Sequence, residues 1–250
     1  MRRTQSGDES NDLTMITNIK SGITEDILEK HLVWEFFERK HDGIFVEVGA
    51  NDPYSGSQTW LLEQNGWHGV LVEPQAALSE KLRQLRKQSQ VFQVACTSPG
   101  KEGAALLRIG AQNGLSTLEK QTDSKGDQFV GTERVATTTL DKLLSAAGVS
   151  HIDFLSLDVE GHEIEVMRGF DFGKYHPSLI LIEDHARNLD KHRFLTRHGY
   201  KLVKRTTLNN WYIPKGQTFR MTFWLERLAL FRKMFLGLPF RKIKLYFRRA

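Results

Sequence analysis

Four acidic residues stand at or just before the ends of short apolar runs. They are Glu47 in the run 44–48 (IFVEV), Glu73 after Val70–Val72, Asp158 after Phe154–Leu157, and Glu183 after Leu179–Ile182. Short apolar runs bounded by turn residues are expected to be buried strands. In an open parallel sheet, ligands bind in the crevice beyond the carboxyl ends of the strands. Acids placed there face a ligand rather than the core. Any single one can instead cap a helix. Four in strand order beside a glycine turn favour a binding site.

The spacing narrows the ligand. Glu73 follows Gly49 by 24 residues, the interval at which a nucleotide-binding sheet places the acid that accepts both ribose hydroxyls. The turn between them, Gly49-Ala50-Asn51-Asp52-Pro53-Tyr54, lacks the second and third glycines of a dinucleotide fingerprint. Pro53 removes an amide, and Asp52 would repel a phosphate. Such a turn suits an adenosine ligand with an amino group and a sulfonium cation, S-adenosylmethionine (SAM). The expected cofactor-binding residues are Glu47, Gly49, Asn51, Asp52, Glu73, Pro74 and Asp158, with Glu47 and Asp52 set against the amino group and the cation. Two other functions stay open: an NAD-dependent sugar-modifying enzyme, and a non-catalytic scaffold at a membrane.

Methyl transfer to an alcohol needs alignment, exclusion of water and a proton acceptor. Asp158, Glu160 and His185 are the expected catalytic residues, with His185 or Asp158 as the base. His162 is the other reachable imidazole, or else a solvent-facing residue in the first turn of a helix. His185, Glu183 and Asp158 form a set that can hold a divalent metal acidifying a sugar diol. Carboxylates and a histidine meet often without one, so no metal is expected. Cys96 is expected to be a small buried residue.

The elements that position these residues alternate. After the strand at 44–48 come helical stretches Gln58–Gln64 and Ala76–Lys87, the latter with Leu78, Leu82 and Leu85 on one face. Strands are expected at Val70–Val72, Val91–Ala95, Phe154–Leu157 and Leu179–Ile182. Leu106–Ile109 and Arg134–Thr138 read as a side hairpin. Thr139 caps a short helix, Gly161–Met167 begins another, and Tyr200–Val203 with Trp211–Ile213 form an antiparallel pair. Alternating strands and helices specify an α/β fold with a mostly parallel sheet.

The ordered motifs resemble the FkbM family of SAM-dependent methyltransferases. They are the block from Phe45 to Pro53, the block from Gly66 to Pro74, Gly114 to Leu118, Thr139-Leu140-Asp141, the block from Ile152 to Glu163, Glu183, and His198-Gly199-Tyr200. Glu47 stands where the family often has Asp. The resemblance implies a Rossmann-like class I methyltransferase sheet of seven strands, the last antiparallel, with helices on both faces. It also implies O-methylation, often of sugars or natural-product hydroxyls.

Charge divides the chain. Residues 217–250 hold nine Lys or Arg and one Glu, and the other 216 residues hold 26 basic and 29 acidic side chains. A mildly acidic body argues against nucleic acid as partner. The division expected is a disordered lead-in over 1–20, a methyltransferase domain over 21–216 and a basic amphipathic segment over 217–250. That segment fits peripheral contact with anionic lipid, or packing on the body or on a second copy in a homo-oligomer. The polar start, Met1 to Asn18, lacks the apolar core of a secretory signal. The expected location is cytoplasmic, with peripheral attachment to the inner face of the membrane.

Overall fold

The computed structural model describes residues 25–110, 116–118 and 129–237. The expected lead-in over 1–20 and the basic end beyond 237 lie outside the described residues. In chain order the elements are α1 (Glu25–Phe36), β1 (Ile44–Val48), α2 (Trp60–Gln64), β2 (His68–Val72), α3 (Ala76–Leu85), β3 (Ser89–Phe92) and β4 (Ala95–Cys96). They continue with β5 (Gly103–Gly110), β6 (Phe129–Thr138), α4 (Leu140–Ala146), β7 (Phe154–Leu157), α5 (Glu163–Arg168) and α6 (Phe172–Tyr175). Last come β8 (Leu179–Glu183), α7 (Asp190–Arg197), β9 (Tyr200–Thr206), β10 (Asn209–Pro214) and α8 (Trp224–Phe231), which runs on into a π-helical turn, Arg232–Leu236.

The main sheet has seven strands in the order β3-β2-β1-β7-β8-β10-β9. β1, β2, β3, β7 and β8 pair in parallel, and β10 runs antiparallel to both β8 and β9. The chain builds outward from β1 to β3, then returns to place β7 on the other side of β1. This reversal makes a switch point between β1 and β7, where a ligand crevice is expected. The fold is the Rossmann-like class I methyltransferase sheet, as the motifs imply.

Side chains of each strand alternate between two cores. Val46, Val48, Leu155, Leu157, Ile180 and Ile182 pack with Leu140, Leu143 and Leu144 of α4, Val166 and Met167 of α5 and Leu195 of α7. Phe45, Leu71, Phe154, Leu179 and Leu181 pack on the other face with Leu32 and Val33 of α1, Leu62 of α2 and Leu82 of α3. Helices therefore cover both faces, and each buried Leu, Val or Phe contributes about 1.5–3 kcal/mol.

Three local expectations need correction. The strand expected over Val91–Ala95 stops at Phe92. Glu73 still donates its amide to Phe92 (3.1 Å), but its carbonyl accepts from the Ser79 hydroxyl and the Gln75 amide turns back to the Glu73 carboxylate, so neither pairs with β3 further on. Ala95 and Cys96 instead pair with Thr137 and Thr138 in a three-stranded side sheet, β4-β6-β5. In α3, Leu85 is exposed, and Ser79, Leu82 and Arg86 form the buried face. The Glu63 carboxylate of α2 and the Ser57 and Thr59 hydroxyls hold Arg86 there. The helix expected from Gly161 begins at Glu163, because Glu160 and Gly161 have positive φ (51° and 101°) and form a turn. The expected hairpin is present and longer, β5 pairing β6 over its whole length. The segment after residue 216 contacts the body: Phe219 and Met234 are both buried.

Candidate active site

The crevice forms where two turns touch. Gly49, just past β1, has φ +84° and donates its amide to Val72 (2.9 Å). A Cβ there would lie 1.8 Å from the carbonyl oxygen of Asp158, just past β7. Only glycine allows both the left-handed backbone and this approach. Asn51 follows with φ +48°, and its amide donates to Glu73.

Between these turns and the side sheet lies a cavity of about 250 Å³. Four carboxylates line it, Glu47, Glu73, Asp158 and Glu160, and no Lys or Arg does among the described residues. A wall of this charge suits a cation and repels a pyrophosphate. Gly49, Asn51 and Pro74 line it as expected, and so do Gln58, Cys96, Ser156, His162 and Asn209. Cys96 is buried, which pushes its thiol up to about 12.

Glu73 is buried and accepts from the amides of Asn51 (2.9 Å) and Gln75 (2.8 Å). Burial raises its pKa, the two amides lower it and Glu133 raises it, with a net upward shift. Glu47 accepts from the Gln58 amide (2.7 Å), the Ser57 hydroxyl (2.9 Å) and the Thr59 hydroxyl (2.6 Å). It thus ties the loop over 57–59 to the end of β1. Asp52 does not line the cavity. It accepts from the amides of Tyr54 and Ser55 and pairs with Lys81 at 2.7 Å. Burial would raise its pKa, but the Lys81 bond and the two amides outweigh this and hold it below its usual value.

Two acceptors on the cavity wall, Asn51 Oδ1 and Gln58 Oε1, are buried with no hydrogen-bond partner. Such atoms are costly unless something donates to them. The amino group of SAM is a donor of the required kind. With Glu73 at the strand end for a ribose and no basic side chain for a phosphate, the residues fit SAM.

At the other end, carboxylate oxygens of Asp158, Glu160 and Glu183 lie within 4.8 Å of one another, close enough for one divalent cation to bridge. Asp158 is open to water but enclosed by protein on most sides. That desolvation, then Glu183, Glu160 and Glu163, raise its pKa well above the usual carboxylate range, against the pull of Lys191. Burial likewise raises Glu183, with Glu163 and Asp184 adding to it and His185 and Lys191 opposing. Lys191 pairs with buried Glu163 (2.7 Å) and donates to the Glu183 carbonyl (2.6 Å), which fixes α7 beneath this cluster.

The two candidate imidazoles exchange places relative to expectation. His185 is exposed, pairs with Glu183 (3.3 Å) and does not line the cavity. His162 does line it, with Nε2 3.2 Å from the Thr97 hydroxyl. His185 sits one residue before Ala186, whose φ of +52° turns the chain past the strand end. Sequence reasoning also missed Arg86. It donates to Glu63, Ser57, Thr59 and the Pro53 carbonyl, knitting the loop beside the cavity. No local signal marks it, because every partner lies in another element.

Comparison with known proteins places this architecture. The family described as "Methyltransferase FkbM domain" matches residues 47–202. Among solved structures, a methyltransferase FkbM from Methylobacillus flagellatus KT is 13% identical, with a TM-score of 0.45, over 69% of this chain and 44% of that one. The chain thus spans less than half the length of that protein. A methyltransferase from Geobacter sulfurreducens is 12% identical (TM-score 0.42), over 84% of this chain and 90% of that one. The 1,6-didemethyltoxoflavin-N1-methyltransferase of Burkholderia thailandensis, solved with S-adenosylhomocysteine, is 6% identical (TM-score 0.38), over 85% and 91%. No curated protein matches the chain.

Proposed function

The chain belongs to the FkbM family of SAM-dependent methyltransferases, and from that premise we propose that it methylates a hydroxyl oxygen of a sugar or glycan-like acceptor. The observation that carries this reading is Asp158, a carboxyl on the cavity wall made more basic than usual by its surroundings. A hydroxyl that becomes an ether oxygen must give up a proton, and a base with a raised pKa takes it more readily near neutrality.

Bound SAM supplies an electrophilic methyl group. Glu73 is assigned its ribose hydroxyls, and Asn51 Oδ1 and Gln58 Oε1 the donors of its amino-acid end. Gly49 and Pro74 shape the wall between them. Glu47 holds the loop bearing Gln58 in place. Asp158 accepts the proton of the attacking hydroxyl. Glu160 on the same turn adds negative charge opposite a cationic donor, and His162 orients the acceptor. Leu107 of the side sheet and Leu118, packed against it, close that side of the cavity against water.

The test is a thermal melt with S-adenosylhomocysteine and, separately, with NAD. Ligand at 100 times its dissociation constant adds roughly 2.7 kcal/mol. A shift with S-adenosylhomocysteine alone is expected, followed by methyl transfer to hydroxyl-bearing acceptors and none to their deoxy analogues. A shift with NAD alone would refute the reading.

A second reading rests on the close approach of Asp158, Glu160 and Glu183. A divalent cation on these carboxylates would acidify a sugar diol directly. Turnover that survives exhaustive chelation excludes it.

A further inference from the structure

Helix α8 shows the body only part of its surface. Met234, in the turn that continues it, is fully buried, with its sulfur 3.9 Å from Asn210 Nδ2. Phe235 packs edge-on against His192, ring centroids 5.4 Å apart, and Glu226 pairs with Lys204 at 3.3 Å. Trp224, Leu228 and Phe231 fall at i, i+4 and i+7, a single stripe on a helix. They are 71%, 54% and 51% exposed. Phe223, Leu225 and Leu236 are exposed beside them. A contiguous row of large apolar side chains marks an interaction surface.

The charge around the stripe selects its partner. Residues 217–237 carry Arg220, Arg227, Arg232 and Lys233 and one acid, Glu226, which Lys204 already holds. The 13 residues that follow add five Lys or Arg and no acid. Two copies meeting stripe to stripe would bring these cations together, which opposes a symmetric contact. Aromatic and aliphatic side chains among cations match the boundary of an anionic bilayer, with rings at headgroup depth and cations on phosphates. No helix of the described residues is long and apolar enough to cross a membrane, so the contact lies in the plane of the surface.

We propose that α8 docks this protein on anionic lipid bilayers, with Trp224, Leu228 and Phe231 entering the interface. The docking stripe shares no residue with the cavity, so it stands or falls independently of the acceptor.

The experiment is flotation of the full-chain protein with vesicles of phosphatidylcholine alone, or of phosphatidylcholine mixed with phosphatidylglycerol. Binding is expected to the mixed vesicles only and to weaken as salt rises. Replacing Trp224, Leu228 and Phe231 together by Ser lowers binding at least about a hundredfold, the effect of losing three interfacial apolar side chains. Arg220→Glu with Arg232→Glu lowers it about fivefold or more per site. Both variants change exposed residues and keep the melting shift with S-adenosylhomocysteine, which shows that they remain folded. The proposal is overturned by equal flotation with both vesicle types, by no flotation of the wild type, or by unchanged binding of the triple-Ser variant. It is also overturned if the wild type is a dimer that the triple-Ser variant turns into a monomer, which gives the stripe to a second copy.

Discussion

Arg86 and Glu63 form an ion pair sealed from solvent behind the loop over 57–59, and no water-exposed charge takes part in it. Glu63 also accepts from the Gln88 amide (3.0 Å) and the Ser89 hydroxyl (2.8 Å), and Arg86 reaches within 4.0 Å of Glu47. One guanidinium thus joins α2, α3 and the end of β1. Removing one partner of a buried pair leaves the other charge stranded and costs about 3–5 kcal/mol. Arg86→Met should therefore lower the urea midpoint of unfolding. Arg86→Met with Glu63→Leu should lose less than Arg86→Met alone, because an apolar pair leaves no stranded charge at that site. Equal losses in the two variants would show that the pairing itself contributes nothing.

Gly49→Ala tests the contact between the two turns. The new methyl would enter the Asp158 carbonyl, and Ala tolerates the positive φ poorly. Backbone strain of this type costs about 1–3 kcal/mol, and displacement of the β7 turn adds to it. Calorimetric titration with S-adenosylhomocysteine should show binding lost. Wild-type affinity in this variant would mean that the turns do not meet in solution.

Asp158→Asn should separate stability from activity. The raised pKa of Asp158 means that the folded state prefers its neutral form. The stability this group contributes is therefore fully present at acid pH and is lost as pH rises through its folded pKa. A neutral Asn should raise the melting temperature at pH 7 while turnover falls by about 10²–10⁴. In the wild type, turnover should rise with pH along a limb displaced above the usual carboxylate range, since the base works only when ionised. A limb at an ordinary carboxylate pKa would remove Asp158 from that role.

Glu73→Gln leaves one acceptor oxygen for the backbone amides but removes the charge. Hydrogen bonds to a charged group contribute about 1.5–3 kcal/mol, so affinity for S-adenosylhomocysteine should fall roughly 10- to 100-fold. On the proposed assignment of Glu73 to the ribose, methionine as a competing ligand should be indifferent to the change. A loss of methionine binding as well would place Glu73 at the other end of the donor.

The sheet could be read from the sequence because its central strands are buried on both faces. Phe154–Leu157 and Leu179–Glu183 are entirely buried and contain few polar residues to obscure them. The crevice was legible for a related reason: a carboxylate ending an apolar run marks where the strand leaves the core. Arg86 was not legible. Its burial depends on Glu63 and Glu47, which the folded chain brings near, and a buried arginine looks like any surface arginine in a helix pattern. The histidines show the same limit. His162 and His185 each follow a strand-end acid closely, and only the turns after β7 and β8 decide which one reaches the cavity. The break after Phe92 comes from the Glu73 carboxylate taking the Gln75 amide and the Ser79 hydroxyl taking the Glu73 carbonyl, so its cause lies on β2's exit and its effect on a neighbouring strand.

That break shapes how the molecule is built. Because the chain leaves the main sheet after β3, the cavity has one wall from the main sheet and another from Cys96, Leu107, Ser116 and Leu118. Gly49, Glu73 and Asp158 belong to the first wall, and the hairpin of β5 and β6 carries none of them. The two walls therefore come from separate stretches of chain. The hairpin sits over the strand ends like a visor, hinged to them by the Gln75–Ser116 and Thr117–Glu160 hydrogen bonds.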